Sequence, residues 1–475
     1  MTMNILPTAS RSRLFQEVAV NFLGLAAALG IAGLLARALL EGQWGMVRAL
    51  VGLAAALMTI ALDNRIGLLV WLALAPLDRY LTLSMGSGIP DLGLSRLAPM
   101  LLAFLLIAQV ATGRRRLARV TPLDVAGGLF ILAMIASAPR SWMSMFSAAQ
   151  TLFDTVVIPL LVYLFARTLS DKPRSVRWLV VAVTLVIVPL ALIAGQEQLT
   201  GYTVLSPLRY NEWAYGRFSR KVTSVFGAPA IMALTLSVAA PILLYATVQA
   251  KKLGHRLVWG GALAIDLLGG FLTYVRGGWL GAVAGMGVLF VLSRRTRRYL
   301  PHLLLIALVL AAVLYGPVID PRALRERVQS EQPIEYRLES LDLAWQFFKK
   351  SPVLGIGFDN FGRAAQTAGW MPHELTFVLP TPHNTYVYIL TSAGLVGLLP
   401  FLAILGLILG EIFRLWRQPG TSRDLLAMLA GTLIGYGLTI GAFDALNARY
   451  ANMLFFLIVG TVLGSQTRAA REARG

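Results

Sequence analysis

The side chain best suited to acid–base chemistry is His383, which lies between Pro382 and Asn384 at the start of a long apolar run. A helix N-terminus carries a partial positive charge, which disfavours imidazolium and keeps a histidine there neutral near neutral pH. The neutral imidazole is the form that a general base requires. His383 is therefore a candidate base, and the alternative is an interfacial histidine that only caps the helix.

Two arginines are candidate ligands for an anionic group. Arg276 lies between two apolar runs, and Gly277 and Gly278 after it let a bulky head group approach the backbone. Arg337 begins an amphipathic segment, 336–350, in which packing alone does not demand a charge. A guanidinium group offers a fixed fork of donors to phosphate or pyrophosphate. The alternative for Arg276 is an arginine that ends a helix and reaches towards the lipid head groups.

A third cluster of cations precedes another long apolar run. Arg217, Arg220 and Lys221 are followed by two hydroxyl residues and by the break Gly227-Ala228-Pro229. This pattern is typical of a phosphate cradle, and equally of a solvated charge run beside lipid head groups. The pattern alone leaves both interpretations open.

The amphipathic segment 336–350 carries an apolar stripe at helical spacing, formed by Leu338, Leu341, Trp345 and Phe348. Such a stripe can lie in the membrane interface, or it can pack against neighbouring loops. Both alternatives stay open at the level of sequence.

Composition indicates what positions these residues. The chain has 475 residues, of which 57% are hydrophobic and 14% charged, and its mean hydropathy is +0.69. In soluble proteins, about a quarter of all residues are charged. About fourteen apolar runs approach the roughly 20 residues that a helix needs to cross a bilayer, and they lack the period-two alternation of barrel strands. They lie near residues 18–36, 49–62, 66–77, 97–112, 123–138, 149–166, 178–195, 224–249, 257–274, 277–293, 301–318, 384–413, 425–443 and 450–465. We predict an all-α polytopic membrane protein with a single domain, 1–475, and an extracytoplasmic insert, 319–382.

The arginines and lysines indicate the orientation. The basic clusters fall in alternate connections, near Arg116, Arg177, Arg256, Arg297 and Arg417 and on the C-terminal tail. By the positive-inside rule, both termini are expected to be cytoplasmic and the insert to face outwards. Most of the net charge of +19 is therefore topological, and no nucleic-acid partner is expected. The cations that remain on the outer side favour an anionic ligand there.

Several classes of chemistry are disfavoured. The chain has no cysteine, which rules out disulfides, thiolate nucleophiles and cysteine metal sites. Its four histidines are scattered, so no metal site is expected. A phosphate-binding loop of the GxxxxGK[ST] type is absent, which argues against ATP hydrolysis. We expect no cofactor, and we interpret the first apolar run as an uncleaved signal anchor.

The ordered motifs resemble the O-antigen ligase and O-antigen polymerase superfamily of bacterial membrane glycosyltransferases. The likeness covers residues 217 to 415. Its elements are the segments 226–229, 274–277, Arg337 with 352–357, His383-Asn384 and 392–399. Each motif alone is weakly specific, whereas the ordered set is specific. Two departures stand out, because Ser224 replaces a frequent glycine and Pro229-Ala230 replaces a frequent Pro-Asn pair.

The resemblance implies a GT-C-like fold and a metal-independent, inverting transfer from an undecaprenyl-pyrophosphate-linked glycan. By the same resemblance, Arg276 and Arg337 engage the pyrophosphate and His383 activates the acceptor hydroxyl. The residues expected to bind substrate are Arg217, Arg220, Lys221, Gly355, Gly357 and Asn384. The expected location is the bacterial inner membrane, with the active site on the periplasmic face.

Three alternatives remain at the level of sequence. The transferase could be a ligase that joins the glycan to lipid A core, or a polymerase that extends a growing glycan, since both use the same donor chemistry. A transporter or flippase of lipid-linked saccharides is the second class, but such folds usually show paired broken helices rather than one large outer loop. An assembly protein is the third, and it would not need outward-facing arginines.

Overall fold

A computed structural model gives the structure of the chain. It describes residues 51–52, 64–78, 93–113, 119–170, 174–203, 206–209, 222–315, 321, 325, 332–370 and 381–474. The first predicted apolar run and most of the second lie outside these residues.

The described residues form sixteen α-helices. In chain order these are α1 (Asn64–Leu74), α2 (Leu94–Ala111), α3 (Pro122–Ser137), α4 (Met145–Leu152), α5 (Ile158–Leu169), α6 (Arg174–Thr200), α7 (Pro229–Gln249), α8 (Leu253–Leu272), α9 (Arg276–Leu292), α10 (Arg294–Arg297), α11 (Leu300–Leu314), α12 (Gln332–Lys350), α13 (Phe361–Thr367), α14 (Thr385–Trp416), α15 (Arg423–Ile440) and α16 (Arg449–Glu472). A π-helical turn, Phe153–Val157, joins α4 to α5. Two short antiparallel strands, β1 (Tyr202–Thr203) and β2 (Ser206–Arg209), follow α6.

The predicted all-helical membrane architecture is confirmed in outline. The remaining twelve of the fourteen apolar runs each coincide with a helix or with helices joined by short turns. Seven helices in the described part of the chain are long and apolar enough to cross a membrane: Pro122–Arg140, Met145–Leu169, Ser175–Thr200, Pro229–Gln249, Thr385–Trp416, Arg423–Ile440 and Arg449–Glu472. Shorter apolar helices are Gly67–Leu77, Arg96–Ala111 and Arg276–Leu292. The count of fourteen spans and the GT-C-like fold stay predictions.

Small residues allow α9 and α15 to approach closely. Gly281 and Gly285 of α9 face Gly431 and Gly435 of α15. A Cβ atom added at Gly281 would lie 2.7 Å from the carbonyl oxygen of Gly435, and one at Gly285 would lie 2.8 Å from that of Gly431. Glycines spaced by four residues are typical of helix pairs in membranes whose backbones touch. This contact fixes the position of α9, and with it the position of Arg276 at its first residue.

Polar contacts tie three helix ends together at the opposite end of α9. The carboxylate of Asp424 accepts hydrogen bonds from Ser293 Oγ at 2.7 Å and from Gln249 Nε2 at 2.8 Å, and Arg295 Nη1 donates to Gln249 Oε1 at 2.6 Å. The basic connection after α9 therefore meets the end of α7 and the start of α15. Arg276 lies at the other end of the same bundle.

Candidate active site

His383 lies directly before α14 and has a left-handed backbone conformation, with φ at 46°. The oxygen that caps the helix comes from Asn384, whose Oδ1 accepts a hydrogen bond from the backbone N–H of Val387 at 3.2 Å. The imidazole of His383 is not used for this purpose. Its Nδ1 lies 3.4 Å from Oγ1 of Thr381. Asn384 therefore does the capping, and the imidazole is left for another role.

The surroundings of His383 keep it neutral. Burial lowers the pKa of the imidazole, and the positive charge of Arg337 lowers it further, to about 4. The helix N-terminus was the expected cause, but burial is the larger one. A neutral imidazole at neutral pH has a ring nitrogen that can accept a proton.

Arg276 and Arg337 converge on the same place from distant parts of the chain. Arg276 is the first residue of α9, and Arg337 lies in α12. Burial lowers the pKa of Arg337, and the charge of Arg276 lowers it further. Arg337 therefore lies within electrostatic reach of both Arg276 and His383. Two neighbouring guanidinium groups repel each other, and a bound polyanion would relieve that repulsion.

The aromatic ring of Tyr336 adjoins His383, and the ring of Trp370 adjoins Tyr336 in turn. The ring centroid of Tyr336 lies 5.2 Å from that of His383 and 5.0 Å from that of Trp370. The phenol of Tyr336 donates a hydrogen bond to the carbonyl oxygen of Thr381 at 3.2 Å. The indole Nε1 of Trp370 donates to Glu339 at 3.1 Å. Tyr336 could have been found as the neighbour of Arg337, whereas nothing in the sequence marks Trp370.

The glycines Gly355 and Gly357 lie against protein backbone. The backbone N–H groups of Ile356 and Gly357 donate to the carbonyl oxygens of Thr391 at 2.7 Å and Ser392 at 3.1 Å. Both glycines have positive φ, 69° and 108°, and a Cβ at either would lie 2.5 Å from a backbone oxygen. In the structure these glycines therefore dock the loop onto α14, while a role in substrate binding stays a prediction.

Arg140 secures the same loop from the first half of the chain. Its guanidinium donates to the carbonyl oxygens of Gly355 at 2.9 Å and Leu354 at 2.8 Å. Arg140 was not selected by the sequence analysis, because its contacts lie more than two hundred residues away. The loop is thus held from two directions.

The basic cluster Arg217, Arg220 and Lys221 lies outside the described residues. The turn that follows it is well defined. The buried carboxylate of Glu197 accepts hydrogen bonds from the backbone N–H groups of Thr223 at 3.0 Å and Ser224 at 2.7 Å. Ser224 has a φ of 49°, a conformation that favours glycine.

Left-handed backbone at residues other than glycine is confined to four positions in the described chain: Ser224, Tyr274, Asp359 and His383. Each lies at, or within two residues of, a motif from the sequence analysis. Such conformations cost about 1–3 kcal/mol each and persist where the surrounding structure enforces them, often at functional sites. These four positions therefore lie in the same region as the motifs.

Two carboxyl groups, Asp359 and Asp444, lie beside the start of α14. The phenol of Tyr388 donates to Asp359 Oδ1 at 3.0 Å, and burial raises the pKa of Asp359. Burial raises the pKa of Asp444 to about 7, to which the charge of Asp359 contributes. Next to Asp444, the backbone N–H of Ala445 donates to Thr385 Oγ1 at 2.8 Å. Neither carboxyl stands out in the sequence. Within the described ranges, no group of three histidine or acidic side chains is arranged to hold a metal ion.

Comparison with known proteins connects this region to one family. Residues 261–402 match the family model described as O-antigen ligase. Two curated relatives are both named O-antigen ligase. The one from Pseudomonas aeruginosa is 28% identical over 181 residues, which are 38% of this chain and 40% of the relative. The one from Salmonella typhimurium is 29% identical over 172 residues, which are 34% of this chain and 41% of the relative.

The matched span contains the three residues that converge, namely Arg276, Arg337 and His383. The similarity covers about two fifths of the length of each curated relative. These comparisons confirm the resemblance to the O-antigen ligase and polymerase superfamily that the motifs indicated.

Proposed function

Because the chain resembles O-antigen ligases, we propose that it is a membrane glycosyltransferase of O-antigen assembly. The donor is an undecaprenyl-pyrophosphate-linked glycan, and the acceptor is a sugar hydroxyl at the periplasmic face of the bacterial inner membrane. The observation that carries the proposal is the convergence of two arginines and a neutral histidine, drawn from α9, α12 and the start of α14.

The chemistry assigned to these residues is a single displacement. The acceptor oxygen attacks the anomeric carbon, the bond from that carbon to the pyrophosphate oxygen breaks, and the configuration inverts. Negative charge develops on the leaving pyrophosphate, and Arg276 and Arg337 stabilise it. His383 takes the proton of the acceptor hydroxyl. Charge stabilisation by arginines makes the step independent of a metal ion.

The lowered pKa of His383 supports its role as base, because an imidazolium could not accept the proton. Arg337 has two roles in this scheme. Its charge binds the pyrophosphate, and together with burial the same charge keeps His383 in the neutral form.

The two curated relatives are each named O-antigen ligase, which favours a ligase over a polymerase. The acceptor that we propose for a ligase is lipid A core. Transfer to a growing glycan is the alternative. A flippase for lipid-linked saccharides has less support, because transport does not require a buried neutral histidine beside two arginines.

The experiment uses the purified chain in nanodiscs with undecaprenyl-pyrophosphate-linked glycan, EDTA and either lipid A core or free glycan repeat units. We expect the wild type to form product with lipid A core, and His383→Ala to form almost none. His302→Ala is the matched control, because His302 is an exposed residue of α11. Product from the glycan acceptor alone would favour a polymerase. Full activity of His383→Ala, or activity that returns only with added magnesium, would contradict the proposal.

A further inference from the structure

Helix α12 presents three different sectors to its surroundings. One sector is buried, because Leu343, Ala344 and Phe347 pack against Phe361 and Ala365. This small core fixes the rotation of the helix about its own axis. The other two sectors are therefore not required for packing within the described protein.

The second sector is apolar and exposed. Leu338, Leu341 and Trp345 are 62%, 40% and 53% exposed. The ring of Trp345 stacks on that of Phe348 at 5.2 Å between centroids, which extends the apolar surface along the helix. The stripe predicted from sequence therefore points away from the protein core. Among the described residues, none of the neighbouring loops covers the stripe, so the first of the two alternatives that the sequence left open is favoured.

The third sector is polar and also exposed. It is formed by Glu335, Glu339, Asp342 and Gln346. An exposed helix in water would not separate an apolar sector from a polar one in this way. The pattern of protein on one side, apolar medium on the second and water on the third is that of a helix lying in a membrane interface.

The apolar sector continues onto a membrane-spanning helix. After α12, the loop is joined to α14 by hydrogen bonds from the backbone N–H of Leu395 to the carbonyl oxygen of Pro352 at 2.9 Å and from Val396 to Val353 at 3.1 Å. Exposed apolar side chains connect the two helices across this junction. They are Val353, Leu354, Leu395, Val396 and Leu399. Since α14 is long and apolar enough to span a bilayer, the surface that the stripe joins is a lipid-facing one.

We propose that the stripe of Leu338, Leu341 and Trp345 inserts into the bilayer leaflet on the side of the active site, so that α12 lies in the membrane interface. The partner is the acyl-chain and head-group boundary of the lipid itself. Trp345 suits this depth, because tryptophan is enriched where membrane and water meet. Lys349 and Lys350 at the end of the helix suit the head-group level.

The position of Arg337 gives this placement a consequence for the site. On the helical wheel, Arg337 falls between the buried sector and the lipid-facing stripe. Insertion of the stripe therefore holds its guanidinium at head-group depth, where the pyrophosphate of a lipid-linked molecule lies. The placement of α12 itself does not depend on the proposed reaction.

The test uses spin labels on the full-length protein, which has no native cysteine. Single cysteines replace Leu341 and Trp345 in the stripe, and Asp342 and Gln346 in the neighbouring polar sector. Each labelled protein is placed in nanodiscs of phosphatidylcholine and phosphatidylglycerol. Collision rates with oxygen, which concentrates in lipid, and with a water-soluble nickel complex are measured by electron paramagnetic resonance. Leu399 on α14 supplies the lipid-facing reference.

We expect the ratio of oxygen to nickel collisions to be high at residues 341 and 345, as at 399, and low at 342 and 346. High nickel collision rates at the stripe would show that it faces water, and the proposal would fail. Low rates with both reagents would show that another protein segment covers the stripe, which also overturns it. All four positions are exposed, so labels there should be tolerated, and Leu338 offers a second stripe position if one variant is unstable.

Discussion

The neutral state of His383 depends on its neighbours more than on its own position in the chain. Burial is the main cause of its low pKa, and the charge of Arg337 is the second. Because Arg337 lies near Arg276 as well, the three residues form one electrostatic unit. Substitutions within this unit should separate binding from chemistry.

Replacement of the arginines should affect donor binding, whereas replacement of the histidine should affect only turnover. We expect Arg276→Ala and Arg337→Ala to weaken donor binding, because each loses a charge-assisted hydrogen bond that is typically worth about 1.5–3 kcal/mol. Lysine at either position should restore part of the loss, since a point charge lacks the fork. His383→Ala should lower turnover by about 10²–10⁴-fold and leave donor affinity unchanged. Donor binding and product formation are measured separately in nanodiscs.

Arg363→Ala serves as the matched control, because Arg363 lies in the same insert but stacks on Trp142, at 5.7 Å from the ring centroid. It should retain both donor affinity and turnover. Equal loss in Arg363→Ala would show that general charge in the insert, rather than Arg276 and Arg337, is responsible.

The pH dependence of transfer should reflect the lowered pKa of His383. Its pKa in the folded protein is about 4, below the ordinary value of 6.5, so His383 is already mostly unprotonated at pH values where a solvated histidine still carries its proton. We therefore expect the acid limb of kcat/KM that belongs to His383 to fall well below pH 6.5. Asp444, with a pKa of about 7, titrates separately, and a limb that disappears in Asp444→Asn belongs to it. A limb near 6.5 that persists in Asp444→Asn would indicate a solvated histidine and contradict the site geometry.

At the scale of elements, the loop at 352–357 joins α14 at a break within the helix. Gly394 interrupts α14 with φ at 63° and ψ at −158°, and its Cα approaches the backbone of Val353 and Leu354. The hydrogen bonds of Leu395 and Val396 to the loop replace those that the helix loses at this break. The first turns of α14, which follow His383, are therefore joined to the rest of the helix through a break that the loop supports.

Gly394→Ala should lower both thermal stability and activity. The backbone at Gly394 lies in a region open essentially to glycine alone, which costs about 1–3 kcal/mol for other residues, and a Cβ there would also overlap the carbonyl group of Val353. Gly410→Ala on the same helix is the control, because a Cβ there has open space. It should be neutral or stabilise by up to about 1 kcal/mol. The melting temperature by fluorescence-detected size exclusion and the rate of transfer are compared. Equal melting temperatures for the two variants would show that the contact between Gly394 and the loop does not stabilise the protein.

The close contact of α9 with α15 should be similarly sensitive. Gly281→Val places a side chain where a Cβ would already lie 2.7 Å from the carbonyl oxygen of Gly435, so the helices must separate and Arg276 must move. We expect weaker donor binding and a lower melting temperature. Gly287→Val, where a Cβ has open space on the same helix, should change neither. Wild-type donor affinity in Gly281→Val would show that Arg276 does not depend on this contact.

At the scale of the whole molecule, the described helices separate two chemically different ends. At one end, Asp424 accepts hydrogen bonds from Ser293 and Gln249, next to the arginines that follow α9. The other end holds Arg276, Arg337 and His383. We predict that the first end is cytoplasmic and the second periplasmic.

Cysteine labelling can test this orientation, since the chain has no cysteine of its own. Cysteines replacing Arg116, Arg177 and Arg297 should be protected from a membrane-impermeant maleimide in intact cells, and those replacing Ser330 and Thr367 should react. Permeabilised cells, in which all five should react, provide the control. The reverse pattern in intact cells would overturn the orientation and the periplasmic active site with it.

The sequence by itself determined the class of the protein and the position of most helices, and it marked candidate site residues in the insert and around it. Long apolar runs form helices in a bilayer whatever surrounds them, because each backbone hydrogen bond is made within the run. Arg276, Arg337 and His383 were identifiable because charged and titratable groups at membrane boundaries are costly unless they have a use.

Only the tertiary structure decided which of these residues lie near one another. The low pKa of His383 depends on burial and on Arg337, and the docking of the loop depends on the hydrogen bond from the backbone N–H of Ile356 to Thr391. The carboxyl of Asp444 lies beside the start of α14 because α15 returns to that end. None of these pairs is close enough in the chain for local sequence to reveal it. Contacts between distant residues depend on how the helices pack, and side-chain pKa values depend on those contacts.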